Sequence, residues 1–375
     1  MKLVILCLSE GIGGLELYCV REYQALTRQG IECVPLVKQG SLLDQRFIAI
    51  GVTPEYLSCS FRKAPLLAAQ RLARLIKILK ADALHMHWAK DLPLAALAKK
   101  IARGSFRLFY TRHMNISRPK QDLFHRFLYR ELDALWVITD EMKREAIACI
   151  PIDATKIERL YLGVPQPQSA PDQESLFNQS FPKKQLNVAL FGRIEHAKGQ
   201  HLLIEAVAAL VAQGKEISAT LVGHVMDKAY AESQQAYIRA RGLDNHIRFI
   251  GFLSNPMQSM PEFDVVVLTT IKETFGLVLP EAMRSNVAVI GSNAGGVPEI
   301  IDQQQTGLLF TPGDATSLAE ALSVYYGDPQ LRQTIATRGR EKADRLFADE
   351  SHFEAVEQRI LAFLTAVPID RIDKK

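Results

Sequence analysis

Short apolar runs with strand character alternate with helical patterns twice along this chain, and that double alternation is what most narrows its fold. In the first half the runs are Leu3 to Leu8, Ile31 to Val37, Ala83 to His87, Phe106 to Thr111 and Ala134 to Thr139. Between and after them lie helical patterns at Leu15 to Arg28, Pro65 to Lys80, Leu92 to Ala102, Gln121 to Leu132 and Glu141 to Cys149. Such alternation implies a parallel sheet covered by helices, because parallel neighbours need crossover connections. The stretch Val164-Pro165-Gln166-Pro167-Gln168-Ser169-Ala170-Pro171 has no period that would bury a face, and reads as a linker. Alternation then resumes, with strands at Asn187 to Phe191, Ala219 to Val222, Ile247 to Ile250, Asp264 to Thr269 and Val287 to Gly291, and helices such as Gln200 to Ala212. The expected architecture is α/β, with two Rossmann-like doubly wound domains over residues 1–165 and 185–350, a linker over 166–184 and a cleft between the domains. A last helical pattern, Phe353 to Ala366, predicts a carboxy-terminal helix in 351–375 that crosses back to the first domain.

Composition excludes several alternatives. Hydrophobic residues make up 48% and charged residues 23%, a globular balance in 375 residues, enough for two ordinary domains. No apolar run reaches the length of about 18 residues that would suggest a membrane span. The start, Met1 to Glu10, carries one basic residue and a brief apolar run, and reads as a first strand and not a signal peptide. The five cysteines include no C-x-x-C pair, which argues against a zinc knuckle or a disulfide framework and for a reducing, cytoplasmic setting. With a net charge of only +4, no nucleic-acid partner is expected. The charge is uneven: residues 1–170 carry 25 Lys+Arg against 16 Asp+Glu, and the remainder 20 against 25. The pattern from Pro65 to Lys80 sets Leu72, Leu75, Ile76 and Leu79 on one arc and Arg71, Arg74, Lys77 and Lys80 on the other. That helix suits either the solvated outer layer of a sheet or peripheral contact with an anionic membrane, at the inner face of the plasma membrane.

Several strand-to-helix turns carry residues suited to anions and sugars. Glu273 and Glu281 bracket Thr274-Phe275-Gly276-Leu277-Val278-Leu279-Pro280 after a β-branched strand, placing Glu273 in a loop and Glu281 on the following helix. Helix starts present unpaired N–H groups, so the amides of Phe275, Gly276 and Leu277 form a cradle for phosphate or sugar oxygens. Gly192-Arg193 ends another strand and Lys198-Gly199 opens its helix, so two cations share a loop and match a diphosphate. They also supply the neutralisation that a leaving nucleoside diphosphate needs without a metal ion. Gly11-Ile12-Gly13-Gly14-Leu15-Glu16 follows the first strand but has Glu16 where a dinucleotide fingerprint needs glycine, so NAD binding is disfavoured. His113 follows a strand end in Tyr110-Thr111-Arg112-His113, where ligand contacts concentrate. His85 and His87 share one face of their strand; with no third ligand visible, a packed or hydrogen-bonded pair is favoured over a metal site. Gly291 to Glu299 is a glycine-rich loop that suits the pocket or packing beneath it, and Leu162-Gly163-Val164 suits a hinge.

In order, Gly13-Gly14-Leu15-Glu16, Thr111-Arg112-His113, Gly192-Arg193 with Lys198-Gly199, Glu273 to Glu281, and Gly295-Gly296-Val297-Pro298-Glu299 resemble the GT4 family of glycosyltransferases. The resemblance spans nearly the whole chain. It implies the GT-B fold, a nucleotide-sugar donor, no metal or other cofactor, and retention of anomeric configuration. It further implies that Arg193 and Lys198 bind the donor diphosphate, that Glu281 holds the ribose and Glu273 the transferred sugar. Amides of Phe275, Gly276 and Leu277 would add donors, Gly192 would shape the phosphate loop, Gly14 would approach the phosphate, and His113 would contact the sugar near the reacting carbon. Many relatives have Asn-Gly-Val-Asp where this chain has Leu162-Gly163-Val164-Pro165, which puts hinge or base contacts there in question.

The expected activity is transfer of a hexose-type sugar from a nucleoside diphosphate to a hydroxyl of a glycan or lipid-linked acceptor, in bacterial cell-surface polysaccharide or lipopolysaccharide synthesis. Two rivals remain on sequence alone. A sugar-nucleotide isomerase or epimerase would need acid/base groups at the sugar carbons. A non-catalytic sensor would bind the donor without turning it over.

Overall fold

The computed structural model describes residues 1–11, 13–59, 65–167, 184–253 and 255–366. They form two compact units, Met1–Tyr161 with Glu350–Lys375, and Leu162–Asp349. Most of the expected linker, 168–183, lies outside the described residues.

Unit 1 holds a seven-stranded sheet of β1 (Lys2–Cys7), β2 (Glu32–Val37), β3 (Glu55–Tyr56), β4 (Ala83–Met86), β5 (Arg107–Arg112), β6 (Ala134–Val137) and β7 (Ile157–Arg159). Their spatial order is β3-β2-β1-β4-β5-β6-β7, all parallel. The chain winds outward from β1 to β3, then returns to β4 and winds the other way. This reversal leaves a crevice at the carboxyl ends of β1 and β4, where open α/β sheets take ligands. The crossovers contain α1 (Gly14–Arg28), α2 (Leu42–Ala49), α3 (Leu66–Leu79), α4 (Leu92–Ile101), α5 (Leu123–Arg130) and α6 (Asp140–Cys149). Side-chain caps fix where some begin: Ser41 Oγ accepts from the Asp44 amide and Thr139 Oγ1 from the Met142 amide, each at 3.1 Å. The α3 helix buries Ala69, Leu72, Ala73 and Ile76 and leaves Arg71, Arg74, Lys77 and Lys80 exposed. Within the sheet core Trp136 stacks on Phe109 with ring centres 5.3 Å apart.

Unit 2 repeats the plan with β8 (Leu186–Phe191), β9 (Ile217–Val222), β10 (Ile247–Ile250), β11 (Val265–Leu268), β12 (Ala288–Ser292) and β13 (Leu308–Phe310). The parallel order β10-β9-β8-β11-β12-β13 puts its switch between β8 and β11. Its helices are α7 (Gln200–Ala212), α8 (Lys228–Ala240), α9 (Pro256–Ser259), α10 (Val278–Arg284), α11 (Val297–Ile300), α12 (Ala315–Gly327) and α13 (Pro329–Leu346). One apolar cluster joins sheet and helices, among them Leu190, Val207, Leu221, Val267, Ile290 and Tyr325, all buried. Each such side chain contributes about 1.5–3 kcal/mol of burial. The segment expected to act as a hinge is anchored here. The guanidinium of buried Arg284 donates to the Val164 carbonyl at 2.5 Å and pairs with Asp344 at 2.9 Å, while the Val164 amide donates to Phe347 at 2.8 Å.

As the sequence predicts, the last helix, α14 (Asp349–Ala366), returns to unit 1. Phe363 meets Phe109 at 5.4 Å, Arg359 pairs with Glu158 of β7 at 2.9 Å, and His352 shares a hydrogen bond with the Tyr18 hydroxyl at 2.9 Å. No helix among the described residues is long and apolar enough to cross a membrane.

Candidate functional site

At the unit 2 switch the loop after β8 and the loop after β11 meet. Lys198 Nζ lies 2.9 Å from Glu273 Oε2, joining a cation of the first loop to a carboxylate of the second. Both side chains are about one-fifth exposed, at 23% and 20%. The backbone around them leaves little room. Gly199 has φ +70°, and a Cβ there would lie 2.6 Å from the Thr269 carbonyl oxygen, while the Thr269 hydroxyl donates to the Lys198 carbonyl at 2.7 Å. On the other side, a Cβ at Gly223 would lie 1.9 Å from the Gly192 carbonyl oxygen, and Gln200 Nε2 donates to the Arg193 carbonyl at 2.8 Å. Glycine is required at these approaches because any side chain would displace main chain.

The Glu273 loop is held by the glycine-rich segment after β12. The Gly296 amide donates to the Glu273 carbonyl at 3.0 Å, and a Cβ at Gly295 (φ +61°) would sit 2.0 Å from that oxygen. So Gly295-Gly296 packs against the first loop, which is one of the two roles the sequence left open. Gly276 has φ +88°, Phe275 is buried with its ring 5.7 Å from Phe347, Leu277 caps α10, and Glu281 lies in its first turn. Pro280 also falls in that turn, where its missing N–H breaks no ladder bond. Arg193 does not join the Lys198–Glu273 contact: its side chain is 59% exposed and its guanidinium pairs with Glu195 at 2.9 Å.

Gly14 and His113 belong to unit 1. Gly14 opens α1, and His113 follows β5 beside a fully buried network that strand periodicity only half discloses. His85 and His87 are there on one face, as expected, but a third group stands between them. Glu22 of α1 lies 2.5 Å from His85 Nδ1 and 2.8 Å from His87 Nε2, with all three side chains at 0% exposure. His85 Nε2 shares a hydrogen bond with the Thr111 hydroxyl at 2.7 Å, and His87 Nδ1 lies 3.2 Å from His113 Nε2. Burial alone would raise the Glu22 carboxyl, but the two imidazoles outweigh it and hold the group well below the usual carboxylate range. Burial lowers His87 and, further, His113, with the neighbouring imidazoles adding to the effect on both. Among the described residues Glu22, His85 and His87 are the set whose ligand atoms converge closely enough to consider for a metal ion. Two ligands about 2.1 Å from one tetrahedral ion stand about 3.4 Å apart. The spacings of 2.5 and 2.8 Å are closer than that, and the first is a hydrogen bond between His85 and the carboxylate.

Sequence reasoning missed Glu22 because it is 63 residues from His85. Its signal was present all the same: Tyr18, Glu22 and Leu26 recur at helical spacing on the buried face of α1, a charge within an apolar stripe. The Thr269 and Gly223 contacts gave no such signal, since they depend on loop packing.

Residues 12–166 match the Glycosyltransferase Family 4 profile and residues 172–342 match Glycosyl transferases group 1. The lipopolysaccharide core biosynthesis mannosyltransferase LpcC of Rhizobium leguminosarum bv. viciae is 26% identical over 250 residues, covering 66% of this chain and 68% of that protein. The fold is shared with a glycosyltransferase from Rickettsia africae (TM-score 0.89, 18% identity, 98% and 99% of the two chains). It is shared also with Anabaena HepE in complex with UDP (TM-score 0.82, 23% identity, 96% and 100%) and with UDP-glucose (TM-score 0.80, 23%, 98% and 100%). With two doubly wound sheets, a last helix returned to the first, and both family profiles laid end to end along it, the chain belongs to the GT4-related glycosyltransferases of GT-B fold.

Proposed function

We propose that the protein is a retaining, metal-independent transferase that moves a hexose-type sugar from a nucleoside-diphosphate sugar to a hydroxyl of a glycan or lipid-linked acceptor. The observation that carries this reading is the Lys198–Glu273 contact at the switch point of the unit 2 sheet, built on glycines that permit nothing larger. A partly exposed ion pair is worth under about 1 kcal/mol, so the ammonium exchanges readily to phosphate oxygens when a donor arrives. Glu273 is then released toward sugar hydroxyls while Lys198 neutralises the leaving diphosphate, with Arg193 swinging from Glu195 to assist. Glu281 takes the ribose, and the amides of Phe275, Gly276 and Leu277 supply donors along the same edge. Gly14 approaches the phosphate and His113 contacts the transferred sugar.

The UDP and UDP-glucose complexes of HepE support a nucleotide-sugar donor, and the LpcC name supports a role in cell-surface polysaccharide or lipopolysaccharide synthesis. A cytoplasmic site of action, with exposed Leu67, Ile78 and the α3 basic residues facing an anionic membrane, belongs to the same proposal. The test is nucleotide release from a panel of UDP-, GDP-, ADP- and dTDP-sugars with chelator present, comparing wild type with Lys198→Ala and Glu273→Ala. Release from at least one donor is expected without divalent cation, falling on the order of 100- to 1,000-fold in either variant. A requirement for added divalent cation, or full activity in both variants, refutes the reading.

A further inference from the structure

The assignment of His113 to the sugar leaves unsaid which ring nitrogen meets it, and the buried network of unit 1 decides this. An ionised carboxylate only accepts hydrogen bonds. Against its burial, Glu22 is held below the usual carboxylate range with His85 the foremost cause, and burial pushes His87 and His113 down, so each of those two rings carries a single N–H at neutral pH. If the His87 proton sat on Nδ1, the bare Nε2 would face a carboxylate oxygen at 2.8 Å, lone pair against lone pair. On Nε2 it faces that oxygen attractively. The N–H does not point along the contact, so this is a close charge–dipole contact and not a hydrogen bond, and it is the carboxylate's negative charge beside Nε2 that favours the proton there. His87 Nδ1 is therefore an acceptor, and the 3.2 Å contact makes His113 Nε2 its donor.

The rest of the network fixes the same arrangement. His85 Nδ1, itself braced by Thr111, holds the other Glu22 oxygen at 2.5 Å. Tyr18 sets its ring 4.9 Å from that of His113 and 5.2 Å from that of His87, with its hydroxyl engaged by His352. The titratable groups facing His113 are thus His87, His85, Glu22, Tyr18 and His352.

We propose that Glu22 and His87 are positioning residues that hold His113 in its Nε2–H tautomer, so that its Nδ1 meets the transferred sugar as an acceptor for a hydroxyl proton. In this state His113 is not a donor to phosphate oxygens and not a general acid. The proposal rests on the assignment of His113 to the sugar, but its first measurement does not.

The full chain, labelled with 15N-histidine, is observed by two-bond proton–nitrogen correlation at pH 7, with signals assigned through His87→Gln and His113→Gln. Wild type is expected to show both rings neutral and protonated at Nε2. In Glu22→Gln the amide offers N–H groups to the rings, and His113 is expected to move toward the Nδ1–H form. Nucleotide release from the faster of UDP-glucose and GDP-mannose should then fall in kcat by on the order of 10- to 100-fold with donor KM little changed. An Nδ1–H His113 in wild type overturns the proposal, and so does a Glu22→Gln protein with unaltered tautomers and rate. Loss of the His85 and His87 signals on adding one equivalent of Zn2+ overturns it in favour of an ion site. Should Glu22→Gln not fold, or neither donor turn over, the wild-type spectrum decides alone. Unchanged release by His113→Ala would sink the sugar contact instead, leaving the tautomer result standing.

Discussion

Replacing Gly295 by alanine tests whether the Glu273 loop is held by main-chain packing. At φ +61° an alanine costs about 1–2 kcal/mol for the left-handed conformation alone. Its Cβ would also stand 2.0 Å from the Glu273 carbonyl oxygen, where real contacts do not fall below 3.0 Å, so one of two backbones must retreat by about 1 Å. That retreat stretches the 3.0 Å bond from the Gly296 amide, worth about another 1 kcal/mol, and carries Glu273 away from Lys198. The total is about 2–3 kcal/mol of stability, and with Glu273 holding the sugar as proposed, a displacement of about 1 Å costs on the order of 100-fold in rate. Gly313→Ala is the matched control, because φ there is +77° but nothing lies within 4 Å of the added Cβ. Urea denaturation and nucleotide release on both variants separate the conformational cost from the clash. Gly313→Ala should lose only the conformational cost of about 1–2 kcal/mol and keep its activity. If Gly295→Ala is no worse than Gly313→Ala in either assay, the reasoning about the loop is wrong.

Acid should destabilise unit 1 before the usual carboxylate range. Burial lowers His352 to about 3, so the unfolded chain binds its proton first, and stability present above about pH 6.5 is lost as pH falls toward 3. Between pH 6.5 and 5 this one residue should cost about 2 kcal/mol, checked by denaturation midpoints across that range, with a flat profile as the contrary result. Arg284→Met should destabilise unit 2 by about 2–3 kcal/mol by removing the charged donor to the Val164 carbonyl, read as a lowered denaturation midpoint. Thr269→Val removes the hydroxyl bond to the Lys198 carbonyl at nearly constant volume. It should cost about 1 kcal/mol and lower nucleotide release more than Gly313→Ala does.

What the sequence disclosed and what it hid follow from the range of the forces involved. The long strands were legible because a buried parallel strand is apolar on both faces: the expected runs at Leu3, Ile31, Asn187 and Asp264 fall within a residue or two of β1, β2, β8 and β11, and Gln200 to Ala212 is α7 to the residue. The strands β3, β7 and β13 were not, since two or three residues at or near a sheet edge are too short to show a period. For the site, the loop positions of Lys198 and Glu273 were readable from strand ends, while their contact at 2.9 Å depends on which strands become neighbours. The partner of His85 and His87 was hidden for the same reason: strand spacing reports a shared face, not what the helix above it brings down.

The return of α14 makes unit 1 discontinuous in sequence, and this bears on how the protein is made. During synthesis the segment Leu162–Asp349 is contiguous and has all its own chain before α14 emerges. Met1–Tyr161, though translated first, waits for Phe353, Arg359 and Phe363, so the order of translation is not the order of completion. A fragment ending at Tyr161 would leave Phe109 and Tyr18 without those partners, and expression of this half alone calls for supplying the last helix in trans or by fusion.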